Sequence, residues 1–196
     1  MLDSVLGRPG SPGARCLDAL ARPLVRWGVS PNALTYAAVA SGVGAAALFY
    51  ASWHWLAFAV LIVSGLLDAV DGRVGRLGGH VSAWGGVLDL TGDRIVEATV
   101  LLGIALPRPE WHVPALVLVC SWYVNLCVFL AVGAASSKAS AKLITYPPGL
   151  LERSELLILV IVVLVAPSLA PVVIYVYAAL VTITAAQRFH YGRRTL

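Results

Sequence analysis

The chain has 196 residues, 59% of them hydrophobic and 12% charged, with a formal net charge of +4 and a mean hydropathy of +0.84. Soluble domains carry about a quarter charged residues, so this composition excludes a disordered polymer, a coiled coil and most single-domain soluble enzymes. What remains is one domain's worth of chain facing mostly lipid, whose positive bias fits membrane topology better than nucleic-acid binding.

In chain order, the first thirty residues hold Arg8, Arg15, Arg22 and Arg26 without the apolar core of a cleaved export signal. Leu17, Leu20, Ala21, Leu24 and Val25 recur at helical spacing opposite Arg15, Asp18, Arg22 and Arg26. That pattern predicts a basic amphipathic helix lying on the membrane, with a break or restart at Pro23.

A bilayer core takes about 20 helical residues to cross. Six spans are expected: Ala33 to Ala51, Trp55 to Gly72, Trp84 to Leu106, Val113 to Ala135, a run ending at Ala166, and Ala170 to Ala186. Trp53 to Trp55 and Pro107 to Trp111 form short aromatic links of the kind found at membrane interfaces, and Pro167, Ser168 and Pro171 make an uncharged turn. The fifth span has only eleven apolar residues, Leu156 to Ala166, so a crossing helix must recruit Glu152, Arg153, Ser154 and Glu155. Cys16, Cys120 and Cys127 read as reduced packing residues.

With six alternating spans, twelve of the 14 Lys and Arg residues fall on one side, and Arg108 falls opposite. The positive-inside rule then places both termini and that face in the cytoplasm of a multi-pass cell-membrane protein. The expected fold is an all-α integral membrane protein. Residues 1–30 form a cytoplasmic amphipathic segment, 31–190 a six-helix domain and 191–196 a basic tail.

Asp68 and Asp71 near the end of the second span, and Asp89 and Asp93 in the third, are spaced by three and four residues, which puts each pair on one helical face. An acid at the centre of a membrane helix costs about 2.5 kcal/mol or more, so four together need compensating positive charge. Arg73, Arg76 and Arg94 can supply part of it, and a proton can neutralise another part. One or two divalent cations of the Mg²⁺ or Mn²⁺ kind supply it better, because these ions prefer carboxylate oxygen and bridge to phosphate. No His or Cys stands at matching spacing for zinc. Seven glycines surround the acids: Gly72, Gly75, Gly78, Gly79, Gly85, Gly86 and Gly92. Most serve helix packing; Gly72, directly after Asp71, suits close approach of a phosphate.

The run Asp68-x2-Asp71-Gly72-x2-Gly75-Arg76-x8-Gly85-x3-Asp89-x3-Asp93 resembles the signature of the CDP-alcohol phosphatidyltransferase family, D-x2-D-G-x2-A-R-x8-G-x3-D-x3-D. Only Gly75, in place of alanine, departs from it. Pro31, Asn32 and Thr35 are similar to the family's Pro-Asn-x-x-Thr segment. The resemblance implies six membrane helices, a homodimer, and displacement of CMP from a CDP-linked lipid, CDP-diacylglycerol being the expected donor, by an alcohol in phospholipid biosynthesis. It further implies two Mg²⁺ or Mn²⁺ ions held by Asp68, Asp71, Asp89 and Asp93, with Asp93 as the catalytic base. Gly72 and Arg76 would contact the diphosphate, and Pro31, Asn32, Ala33, Leu34 and Ser82 would surround the nucleotide.

Lys138, Lys142, Arg153 and Arg188 form a candidate cationic site for a phosphorylated acceptor such as glycerol 3-phosphate or inositol phosphate. Glu152 to Glu155 and Gln187-Arg188 are similar to segments of phosphatidylinositol-phosphate synthases, but their Lys-x-Arg pattern after helix four reads here as Lys138-x-Ser140. The longer basic stretch of a phosphatidylglycerophosphate synthase is also missing, so the acceptor stays open. Two other readings compete: a transporter built on the intramembrane acids, which calls for acids deep in the bilayer and inverted repeats, and a catalytically degenerate family member.

Overall fold

The computed structural model describes residues 11–135 and 154–195. Among these residues the chain is all-helical, with α1 (Pro12–Arg26), α2 (Pro31–Tyr50), α3 (His54–Gly78), α4 (Ala83–Ala105), α5 (His112–Ala135), α6 (Ser154–Val165) and α7 (Ala170–Thr195). Short 3-10 turns at Pro109–Trp111 and Pro167–Leu169 lead into α5 and α7. Four stretches are long and apolar enough to cross a membrane: Pro31–Tyr50, His54–Gly78, Pro109–Ala135 and Pro167–Arg194. At 23 residues, α4 is about 34 Å long, but Asp89, Asp93, Arg94 and Glu97 keep it outside that group. The apolar part of α6, Leu156–Val165, is short, as its composition requires.

The chain forms two compact units that divide after Pro107. In the first, Ser11 caps α1 by accepting the Ala14 N–H at 3.1 Å, and Pro12 occupies the first turn, where its missing donor costs nothing. The break expected at Pro23 does not occur, and α1 runs unbroken to Arg26. Pro23 and Ala19, whose carbonyl loses its donor, both lie on the exposed face. On the opposite face, Ala21, Leu17, Leu24 and Val25 pack with Val70, Val74 and Leu67 of α3, which holds the helix across the proline.

Helix α2 is central to this unit because it packs along both α3 and α4, which touch each other far less. Its contact with α4 runs parallel and is made possible by missing side chains. A Cβ on Gly92 would stand 2.6 Å from Val39, one on Gly42 2.5 Å from Val96, and one on Gly103 would strike the carbonyl of Ala46. Its contact with α3 runs antiparallel, with the Ser64 hydroxyl donating to the Ala38 carbonyl at 2.7 Å. Helix α3 continues past the expected Gly72 to Gly78, so Asp68 through Arg76 share one helix. Gly79 ends it with a left-handed φ of 70°, and the His80 N–H returns to the Gly75 carbonyl at 2.9 Å. Ser82 then caps α4, accepting the Gly85 N–H at 3.0 Å.

In the second unit α7 packs against α5 and α6. Trp122 meets Tyr177 edge to face, and a Cβ on Gly192 would lie 2.7 Å from Val132, marking a second close helix contact. Cys16, Cys120 and Cys127 are free thiols, as expected, but they are exposed rather than packed.

Candidate metal and nucleotide site

Helices α3 and α4 bring together acids about twenty residues apart in sequence. One carboxylate oxygen each from Asp68, Asp71 and Asp89 lie within 4.8 Å of one another. Asp71 is buried, Asp68 partly buried and Asp89 exposed, so the group is walled by protein on one side and open on the other. Three carboxylates this close repel by about 3–4 kcal/mol per pair at an effective dielectric of 20, a cost that a cation between them reverses. Octahedral Mg²⁺ holds oxygens at about 2.1 Å, hence about 3–4 Å apart, so the group closes onto an ion with side-chain movements of under about 1 Å. The donors are all oxygen, which fits a hard divalent ion. Asp93 stands outside the three-acid group, one turn along α4 and partly buried.

Neighbouring cations are arranged around this group in distinct ways. Arg73 reaches Asp18 on α1, with Nη1 3.3 Å from Oδ1. Arg94 pairs with Glu97 at 2.6 Å and lies 3.9 Å from Asp93. Arg76 folds back along α3, placing its guanidinium 3.4 Å from where a Cβ on Gly72 would be. Gly72 therefore leaves that side of the Arg76 guanidinium free of side chain. The Thr35 hydroxyl on α2 donates to Oδ2 of Asp71 at 2.5 Å, which ties a third helix to the acids.

One turn along α2 from Thr35 lies a cavity of about 570 Å³ lined by Val25, Gly28 and Val29 at the end of α1 and just after it, Ser30, Pro31 and Asn32 at the start of α2, Val74 of α3, and Gly78 to Ser82 from the end of α3 to the cap of α4. The N-termini of α2 and α4 both open onto it, so their positive dipole ends favour an anionic ligand. Pro31, Asn32 and Ser82, three of the residues that the sequence suggests for a nucleotide, thus line one cavity. Ala33 and Leu34 do not line it: Ala33 is exposed and Leu34 is buried in the core with Ala21, Val70 and Val74.

Three participants escaped the reading of the sequence. Glu97 continues the four-residue spacing of Asp89 and Asp93 by one more turn, and that periodicity alone could have identified it. His80 and the Val25 to Val29 segment meet at the cavity only because α1 folds onto α3, which no local pattern announces. Of the acceptor candidates, Lys138, Lys142 and Arg153 lie outside the described residues. Arg188, in the second unit, donates from Nη1 to the side-chain Oδ1 of Asn125 at 2.9 Å, and its guanidinium carbon lies 5.3 Å from the centre of the Phe129 ring.

Residues 28–186 match a family model described as CDP-alcohol phosphatidyltransferase. An archaetidylinositol phosphate synthase from Pyrococcus horikoshii is 33% identical over 181 residues, which covers 92% of this chain and 92% of the relative. A phosphatidylinositol phosphate synthase from Corynebacterium glutamicum is 29% identical over 81% of this chain and 73% of its own length. The Escherichia coli inner membrane protein YnjF is 28% identical over 93% of this chain and 90% of its own. Among solved structures, the Mycobacterium tuberculosis phosphatidylinositol phosphate synthase with CDP-DAG bound superposes with a TM-score of 0.75 at 24% identity, covering 91% of this chain and 94% of that one. The same enzyme in complex with manganese and citrate gives a TM-score of 0.74 at 25% identity, covering 90% and 88%.

Proposed function

Because the chain belongs to the CDP-alcohol phosphatidyltransferase family, we propose that it transfers a phosphatidyl-type group from CDP-diacylglycerol or a similar CDP-linked lipid to inositol phosphate, releasing CMP. The reaction class rests on the convergence of Asp68, Asp71 and Asp89 beside a cavity fitted to a nucleotide. The acceptor rests on the names of its relatives, which set inositol phosphate ahead of glycerol 3-phosphate even though Ser140 stands in place of the arginine in the Lys-x-Arg pattern that begins at Lys138.

Asp68, Asp71 and Asp89 would hold one Mg²⁺ or Mn²⁺, and Asp93 would join them toward a second. A divalent cation bound there offsets diphosphate charge and orients the leaving group. The remaining work falls to the chain. Pro31, Asn32 and Ser82 seat the nucleotide at two helix N-termini, and the Arg76 fork takes the diphosphate oxygens across the side-chain-free Gly72. Asp93 accepts the proton of the attacking hydroxyl as its oxygen bonds to the lipid-side phosphorus, and the bond from that phosphorus to the CMP oxygen breaks. Lys138, Lys142, Arg153 and Arg188 would bind the acceptor phosphate.

In the bilayer, α2 to α7 would be six spans, with α4 and α6 shielded from lipid by protein where they are charged or short. Helix α1 would lie at the cytoplasmic interface, both termini and the active site would face the cytoplasm, and the protein would work as a homodimer. The test is purified protein with CDP-diacylglycerol and Mn²⁺, offered inositol phosphate, glycerol 3-phosphate, inositol or serine, with lipid products identified by mass spectrometry. A phosphatidylinositol phosphate product supports the proposed acceptor, whereas a product from glycerol 3-phosphate alone overturns it.

A further inference from the structure

The acids come from two helices that barely touch, and the residue joining them is on a third. Thr35 is 4% exposed and Asp71 6% exposed, so both side chains are buried. The Thr35 hydroxyl has two acceptors within reach, the Pro31 carbonyl at 3.2 Å in its own helix and Oδ2 of Asp71 at 2.5 Å on α3. It carries one proton, and the shorter contact has the length of a charge-assisted O–H···O⁻ bond. The Thr35 methyl meanwhile faces Gly92 of α4, 4.0 Å from where a Cβ would stand, one turn from Asp89. One side chain on α2 therefore hydrogen-bonds one of the clustered acids on α3 and faces α4 within a turn of another.

We propose that Thr35 is a positioning residue for the metal site: its hydroxyl fixes the Asp71 carboxylate in the orientation that completes the three-acid group. The bond takes one of the roughly four lone-pair positions of the carboxylate and leaves the others for the ion. Hydrogen-bonding partners of ligating carboxylates typically change metal affinity by about 10–100-fold when removed. A threonine serving only helix packing would be replaced by valine without effect on the ion. The inference rests on the assignment of Asp68, Asp71 and Asp89 as the metal site, and the experiment separates the two.

Mn²⁺ binding to the purified full chain, followed by electron paramagnetic resonance without substrate, should weaken about 10–100-fold in Thr35→Val, remain close to wild type in Thr35→Ser and disappear in Asp71→Ala. If the valine variant cannot be purified, Thr35→Ala removes the hydroxyl without adding an apolar group and should show the same weakening. Wild-type affinity in Thr35→Val or Thr35→Ala, with Asp71→Ala inactive in binding, overturns the role of Thr35 alone. Unchanged Mn²⁺ binding in Asp71→Ala overturns the metal site and the inference with it.

Discussion

The carboxylate of Glu97 lies 2.6 Å from the guanidinium of Arg94, and Glu97 is only 6% exposed. A buried acid in a membrane-type helix needs such a partner, and the same guanidinium stands 3.9 Å from Asp93. The pair keeps Glu97, the third carboxylate of α4, from adding its charge to Asp93 and Asp89 one and two turns away. Glu97→Ala is expected to destabilise the protein by about 1.5–3 kcal/mol, the range for a hydrogen bond to a charged group. Replacing Arg94 and Glu97 together by methionine should recover part of that loss, because no charge is then left alone in the interior. Thermal unfolding in detergent measures both; a double variant no more stable than the single one contradicts the assignment.

Asp93→Asn should abolish turnover while Mn²⁺ and CDP-diacylglycerol still bind, because the three-acid group does not include Asp93. Loss of a general base typically lowers the rate by about 10²–10⁴-fold. Single-turnover CMP release, set beside equilibrium Mn²⁺ binding, checks this, and retention of most activity would remove Asp93 from that role.

Gly75, where the family signature has alanine, is open to a methyl group. A Cβ there would rest 3.6 Å from Pro31 Cγ, in ordinary contact. Gly75→Ala should retain full activity and raise stability by about 0.4–1 kcal/mol through the reduced entropy of the unfolded chain. Gly103→Ala should do the opposite, because its Cβ would strike backbone at Ala46 and force α2 and α4 apart. Paired melting curves settle the contrast.

Asp18 and Arg73 link α1 to the helix that carries the first acids. The pair is partly exposed, so breaking it should cost only about 0.2–1 kcal/mol of global stability. Its local effect should be larger, because Val25, Gly28 and Val29 line the cavity from the end of α1. Asp18→Asn is expected to raise KM for the CDP-lipid with little change in kcat, and to speed proteolysis within residues 12–26. An unchanged KM would leave the pair a role in packing alone.

Much of this site was legible because its chemistry is local. Asp68, Asp71, Asp89 and Asp93 lie at helical spacing in apolar surroundings, where charge is too costly to be incidental. The spans expected to start at Ala33 and Trp84 begin within two residues of α2 at Pro31 and α4 at Ala83. Contacts between distant helices were not legible. Asp18 reads as one of the polar residues of an amphipathic helix until α1 settles on α3, where it meets Arg73. Pro23 reads as a break until tertiary packing holds α1 together across it. Leu34 sits inside a motif-like segment, yet its side chain turns into the core, because successive residues of a helix point about 100° apart.

The central claim, that Asp68, Asp71 and Asp89 make this protein a cation-dependent CDP-alcohol phosphatidyltransferase, is tested most directly by CMP release from CDP-diacylglycerol by the purified protein before and after chelation. CMP should form with inositol phosphate and Mn²⁺ or Mg²⁺, stop on chelation, return when the ion is restored, and be absent throughout in Asp71→Ala. CMP release that persists after chelation, or that survives in Asp71→Ala, would contradict the claim.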